Sequence, residues 1–420
     1  MRDYIARKSL WFAGLLLVLS IAQTTSEAAD WPQFLGPNRS GISAETGLLD
    51  KWPEDGPKVV WRAEGGVGMS GLAIAGGRVV TLIQGNGNQS LVVHDAKTGK
   101  RLQSVDIAPT YRNGMGNGPR ATPAISGETA YVFTGEGVLA AVSIKAGKLL
   151  WKQDLVKQTG GKAAEYGMAS SPLIVGDLVV VTVGGRGATV VACDKKTGKI
   201  AWKGGSESCG YSSPTLLEVG GKSQIVAHTG SATLGFDPKT GRSLWRYPFT
   251  TDYNCNISTP LAYKGNVFIS SAENHGSALL SLKPKGTAFS VDEVWTSFGR
   301  QSSLRSEWQT PILLDGKLFG LDNVGSAGPV THLNCVDIKT GKRLWQQLRF
   351  GKSNLIAADG KLFFSTMKGE LVVVNVNAEK FDELGRMKVI GTTRQAPALS
   401  NGYLYLRDDA EIVCIDVRKR

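Results

Sequence analysis

The chain has 420 residues, 52 of them glycine, with 42% hydrophobic residues and a formal charge of +12. It carries very few long amphipathic helical patterns, which argues against a helical bundle and for short strands joined by many turns. The five cysteines form no CxxC pair and the four histidines have no ligand spacing, so no metal cluster is expected.

Residues 1–28 read as a signal peptide. Arg2, Arg7 and Lys8 precede the apolar run Leu10 to Ala22, and Ser26-Glu27-Ala28 offers small residues for cleavage. The run is shorter than the ~20 residues a membrane-crossing helix needs, and no cysteine follows it for lipid attachment. Export to the periplasm or the extracellular space is the expectation, with no transmembrane segment in the mature chain. Residues 29–57 form an N-terminal leader that includes WPQFLGPNRSG at 31–41, and residues 58–420 read as a single repeat domain.

KVVWRAE at 58–64 looks like the last strand of a unit whose first three strands are missing. A phrase then recurs: DAKTGKRLQ from Asp95, SIKAGKLLW from Ser143, DKKTGKIAW from Asp194, DPKTGRSLW from Asp237 and DIKTGKRLW from Asp337. The Asp accepts bonds from turn amides, and the glycine supplies the positive φ that lets a type I turn end in a bulged hairpin. Upstream of the turns, Ser/Thr-Pro steps open the first strand of most units, as at Ser170-Ser171-Pro172 and Thr310-Pro311. Proline is tolerated there because that position need not donate to a ladder.

Eight third strands can be counted, from LVVHD to IVCID, with the last lacking a fourth strand. Sheets of this kind bury their faces by stacking radially. The expectation is therefore an all-β, eight-bladed β-propeller in which the strand at 58–64 completes the C-terminal blade. Trp61, Trp151, Trp202, Trp245, Trp295 and Trp345 fall in outer strands, where each indole would wedge between blades. Burying ~150–250 Å² gives at most about 4–6 kcal/mol per wedge. Lysines such as Lys97, Lys196 and Lys339 are dispersed through the turns rather than gathered. They describe solvated turns, and no nucleic-acid partner is expected.

The phrase A-x-D-x-x-T-G-K-x-x-W, nearly whole at Ala192 to Trp202, resembles the tryptophan-docking motif of the pyrroloquinoline-quinone-like (PQQ-like) propeller repeats. Such repeats occur in quinoprotein alcohol dehydrogenases and in the lipoprotein of the outer-membrane β-barrel assembly machinery. The dehydrogenase branch implies a quinone held with a divalent cation such as calcium, an Asp base and, in alcohol oxidation, a disulfide of adjacent cysteines. This chain has no adjacent cysteines and no CxxCH haem motif. The assembly branch implies a non-catalytic, exported scaffold, here expected as a monomer binding a protein or cell-envelope partner; the alternative is a PQQ-dependent oxidoreductase acting on an alcohol or sugar.

The candidate site follows from the irregular face, opposite the stereotyped turns. Counting back three residues from each strand-opening proline reaches Arg120, Ala169, Tyr211, Ile257, Trp308 and Arg394, with Glu307 beside Trp308. The arginines and aromatics suit an anionic or planar ligand at a channel mouth. Glu273-Asn274 and Asp322-Asn323 occupy corresponding loops and offer oxygens to a cation. Cys209 and Cys255, each five residues before a proline, are candidates for a disulfide across blades, whereas Cys193, Cys335 and Cys414 read as small core residues.

Overall fold

A computed structural model describes residues 29–326 and 328–419; the expected signal peptide lies outside the described residues. The strands form eight four-stranded antiparallel sheets, which together make an eight-bladed β-propeller. Seven sheets take their strands consecutively. The eighth pairs Val59–Glu64 with the closing strand Glu411–Asp416, with Trp61 opposite Cys414 and Glu64 opposite Glu411, so the two ends of the chain share one blade. Blades are numbered here from the sheet that begins at Ala73.

Second and third strands are buried on both faces, because each sheet is covered by a neighbour on either side: in blade 3, Val179, Val181, Val191 and Cys193 face one core, and Val180, Val190 and Ala192 face the other. Arg407 fastens the closing seam from blade 8. Its buried guanidinium donates to the carbonyls of Ser70, Leu82 and Gly66 and to the Thr81 hydroxyl in and before blade 1.

The recurrent turn forms as its residues dictate. Asp194 Oδ1 accepts from the amides of Lys196 (3.1 Å) and Thr197 (2.8 Å), and the Gly198 amide closes onto the Asp194 carbonyl. A register shift follows in the outer strand pair of every blade. Trp61, Trp151, Trp202, Trp295 and Trp345 then reach the next blade, where each indole N–H donates to a backbone carbonyl, of Ala96, Lys195, Pro238, Ile338 and Asn377. The turn glycine has a second duty at this contact. A Cβ on Gly99, Gly198 or Gly341 would stand 2.6, 2.6 or 2.7 Å from the indole of Trp61, Trp151 or Trp295.

Trp245 departs from the expected pattern. Its N–H donates to Gln224 Oε1 within its own blade at 2.8 Å. The next blade has no KTGK turn to receive it; a longer hairpin, Gly276–Lys285 with Ala288–Phe298, lies there instead. Between blades 1 and 2 the docking position holds Gln103, whose amide reaches the Lys145 carbonyl.

The Ser/Thr-Pro steps form a belt around the axis. The Thr122 amide donates to Ser171 Oγ, the Ser171 amide to Ser213 Oγ, and the Thr259 amide to Thr310 Oγ1. The residue before proline thus ties its blade to the next.

The leader closes one end of the channel. Trp31 bridges Ile74 of blade 1, the Pro32 carbonyl accepts from Ile125 of blade 2, and Ile42 bridges Ala357 of blade 7. Arg39, almost wholly buried, donates to the carbonyls of Ser171 and Pro172 in blade 3. Glu45 receives the hairpin amides of Asn401 and Gly402 in blade 8. These contacts run along the first-strand hairpins, on the side of the KTGK turns, and leave the opposite face open.

Candidate functional site

Above the leader lies a cavity of about 630 Å³ on the propeller axis. Trp31, Phe34 and Leu35 make its floor, and Gly71, Thr122, Ser171, Ser213 and Thr310 from the belt make its lower wall. The upper wall is a ring with one residue from each blade. Met69, Arg120, Ala169, Tyr211, Ile257, Trp308, Lys352 and Arg394 occupy equivalent positions, and all eight line the cavity. Met115 and Tyr253, from links between blades, line it as well and are 46% and 60% exposed.

Arg120, Tyr211, Glu307, Trp308 and Arg394, the residues singled out from sequence, therefore meet in one place. Met69 and Lys352 escaped the proline count for a simple reason: their blades carry Leu72 and Leu355 where the others carry proline. The hairpin registers Ala75 with Arg78 and Ala358 with Lys361 align them with the rest and supply the signal that the proline count lacked. The floor residues gave no such signal, since the leader lies outside the repeats.

The charged members are bound in different ways. Arg120 donates to the carbonyls of Tyr166, Gly118 and Gly116, and its guanidinium lies 4.8 Å from the centre of the Tyr111 ring. Burial lowers its pKa, and its donors hold the links 108–120 and 156–170. Glu307 receives Lys352 Nζ at 2.8 Å on one oxygen and Asn323 Nδ2 at 2.8 Å on the other. Burial raises the Glu307 carboxyl above its ordinary range against the opposing pull of Lys352. Both Lys352 Nζ and the Arg394 guanidinium sit near the Trp308 ring, at 4.4 and 4.9 Å from its centre. Tyr211 stacks on Tyr166 with ring centres 5.7 Å apart, and burial pushes its hydroxyl up.

Two sequence expectations are corrected here. Asp322 does not offer oxygens to a cation, because both are taken by the buried Arg305 guanidinium at 2.8 Å each. Cys209 and Cys255 are both free thiols. The Cys209 thiol points to the Gly210 carbonyl and belongs to the apolar core of blades 2 and 3, whereas Cys255 lines the axial cavity. Equivalent sequence positions thus face different compartments, and burial pushes both thiols up to about 12.

The carboxylate oxygens that a quinone's cation would draw on are engaged within the protein. Lys352 and Asn323 occupy the oxygens of Glu307, Arg305 occupies those of Asp322, and Glu273 accepts from Ser326. Among the described residues no group of three or more His, Cys, Asp or Glu is placed to hold a metal ion. No helix of the described residues is long and apolar enough to cross a membrane.

Residues 87–347 match the family model described as outer membrane protein assembly factor BamB. The chain is 25% identical over 299 residues to BamB of Shewanella oneidensis, covering 70% of this chain and 69% of that protein. It is 20% identical over 313 residues to BamB of Yersinia pestis, covering 68% and 71%. A shorter stretch of 140 residues is 32% identical to quinohemoprotein alcohol dehydrogenase ADH IIB of Pseudomonas putida, covering 30% of this chain and 20% of that enzyme. Among solved structures, BamB of Moraxella catarrhalis superposes with a TM-score of 0.58 at 14% identity, covering 86% of this chain and 99% of that one. The quinohemoprotein alcohol dehydrogenase of Comamonas testosteroni gives 0.65 at 12% identity, covering 93% and 81%. Both likenesses are of fold.

Proposed function

The chain belongs to the family of the outer membrane protein assembly factor BamB, and from that premise we propose that it is an exported scaffold of the cell envelope that binds a protein partner through its loop-rich face. One observation carries the reading. Of the two carboxylates that line the cavity, Glu307 is bound by Lys352 and Asn323 and Glu273 by the Ser326 hydroxyl, while Tyr253 and Met115 stand exposed on the rim. Exposed aromatic and methionine side chains over a rigid frame are the usual material of protein contacts. The stereotyped turns, polar and alike in successive blades, have no such character.

The test is site-specific photo-cross-linking in the envelope of the producing cell. A photoreactive residue at position 253 or 115 should capture a discrete envelope protein, and one at Lys196 on the turn face should not. Capture from the turn face alone, or from neither face, would refute the reading. A second arm incubates the purified protein with pyrroloquinoline quinone and calcium and follows dye reduction with alcohols and aldoses. Stoichiometric quinone binding with turnover would replace the scaffold by an oxidoreductase.

A further inference from the structure

The eight mouth residues are not distributed evenly around the axis. Going round the ring, Lys352, Arg394, Met69 and Arg120 come from blades 7, 8, 1 and 2, so the cations gather on one side. Ala169, Tyr211 and Ile257 from blades 3, 4 and 5 form an apolar side opposite. The floor below is apolar too, made by Trp31, Phe34 and Leu35 of the leader.

The three cations differ in what they have left to give. Arg120 spends its guanidinium on three carbonyls, and Lys352 is paired with Glu307. Arg394 uses only Nη1, on the Met115 carbonyl at 2.8 Å and Met69 Sδ at 3.5 Å. Its Nε and Nη2 have no hydrogen-bond partner among the described residues, and its plane is held near Trp308. Its backbone is fixed as well, the carbonyl by Asn354 and the amide by Gln395. The lining therefore sets three cations, Arg120, Lys352 and Arg394, against two carboxylates, Glu273 and Glu307. One positive charge is left over, and it sits where a fork of N–H groups is free.

From this geometry we infer that the axial cavity is a binding site for a monocarboxylate with an apolar body, the acid group received by the free edge of Arg394 and the body lying over the leader floor toward Tyr211 and Ile257. A planar guanidinium presents paired donors that match a carboxylate, and the guest's single charge balances the lining. The volume is that of an ordinary small-molecule site. The acid could belong to a small free molecule or to the last residue of a peptide chain; both present the same chemistry to Arg394. The inference goes beyond the scaffold reading, and it is tested on purified protein alone, so failure here leaves the cross-linking result to stand by itself.

Isothermal titration with 4-phenylbutyrate and with its neutral amide reads the charge requirement directly. A second pair, acetyl-Ala-Ala-Phe with a free or an amidated terminus, reads the source. At least one acid should bind about tenfold to a hundredfold more tightly than its amide, the range for a charge-assisted fork. Arg394→Gln should abolish that preference, while Arg62→Gln, on an outer strand and paired with Glu411, should preserve it. Binding by phenylbutyrate alone assigns a small acid, and binding by the free peptide alone assigns a chain terminus. Equal affinity for acid and amide in the unaltered protein, or no binding by either acid, overturns the inference whether or not the variant folds. So does an Arg394→Gln protein that keeps the full preference.

Discussion

On the turn face, Trp151 donates to the carbonyl after Asp194 and Trp202 to the carbonyl after Asp237, the same bond at the same place in successive blades. On the loop face, Arg120, Trp308 and Arg394 also hold equivalent places, yet one clamps a link, one carries two cations and one keeps part of its fork free. The first pattern is what ring closure demands, because each blade must meet the next in one way. The second is what remains when closure makes no demand, and there the residues are free to be specialised for a ligand or partner.

The largest expected effect lies on the turn face. Trp202→Ala should cost about 3–5 kcal/mol, the usual toll for truncating a buried aromatic, read from the midpoint of urea unfolding. Gly241→Ala should fail at the same seam, since its φ is +70° and the new Cβ would press into the Trp202 ring. Trp308→Ala, at the half-buried mouth, should cost clearly less. An equal cost at both positions would erase the distinction between the faces.

Acid separates the two regions next. His228 is buried beneath the links of blades 4 and 5, bonded to Thr233 and Ser271 and packed against Phe249, and burial with the neighbouring His275 lowers its pKa to about 3. His94, beside Arg101 and Arg407 near the closing seam, is lowered to about 4, mainly by burial. Above about pH 6.5 both forms of the chain hold these rings neutral, so nothing is lost. As pH falls below that value the unfolded chain takes up protons that the fold refuses, and stability drops by roughly 1 kcal/mol per pH unit for each ring until the folded pKa is reached. The turn aspartates act lower. Asp95 and Asp194, held below their ordinary range chiefly by the hydroxyls of Thr98 and Thr197, contribute fully above the usual carboxylate pKa, and that stability is lost as pH falls through their lowered folded values. Unfolding midpoints should therefore fall in two steps, and His228→Gln should flatten the upper one.

Lys352→Met sharpens the loop-face half of the comparison. It leaves Glu307 buried without its cation, which should cost about 1–3 kcal/mol at neutral pH. The sign with pH is the reverse of the histidines. A carboxyl whose folded pKa is raised loses stability as pH rises through that value, so acidification should restore part of the loss. A variant equally destabilised at pH 5 and pH 8 would show that Glu307 does not carry the charge assigned to it.

How much was legible in the sequence follows the same division. The turn phrase announced the blades, the seams and the closure at 58–64 because its residues act locally and repeat. It did not foresee that the Trp245 N–H turns to its own blade, since the receiving turn in blade 5 is absent, although the indole is buried against that blade as expected. At the mouth, proline counting found six of the eight ring positions and missed the two whose blades lack the proline. The leader's part in the floor was not legible at all. Nothing in WPQFLG repeats, and the leader's contacts with blades 1, 2 and 7, through Trp31, Pro32 and Ile42, are to residues far apart in the chain. The free thiols of Cys209 and Cys255 were hidden for a related reason: equivalence fixes where a backbone lies but not which compartment a side chain enters.

The smallest effect gives the finest test of equivalence. In four turns a threonine hydroxyl donates to the Asp that opens the turn, from Thr98, Thr197, Thr240 and Thr340, at 2.8, 2.8, 3.0 and 3.1 Å. Replacing any one by valine keeps the shape and removes that bond, at a cost of about 0.5–1.5 kcal/mol. Each bond is solvent-exposed, and each Asp also holds the amide of its threonine, so the lower end of the range is expected. The losses at Thr98, Thr197 and Thr240 should agree with one another, because each of their Asp residues has the same partners and each turn receives the indole of the preceding blade, whereas Asp337 is also paired with Lys317. Losses that differ among those three would mean that the turn face, too, is specialised blade by blade, and the contrast with the mouth would fall.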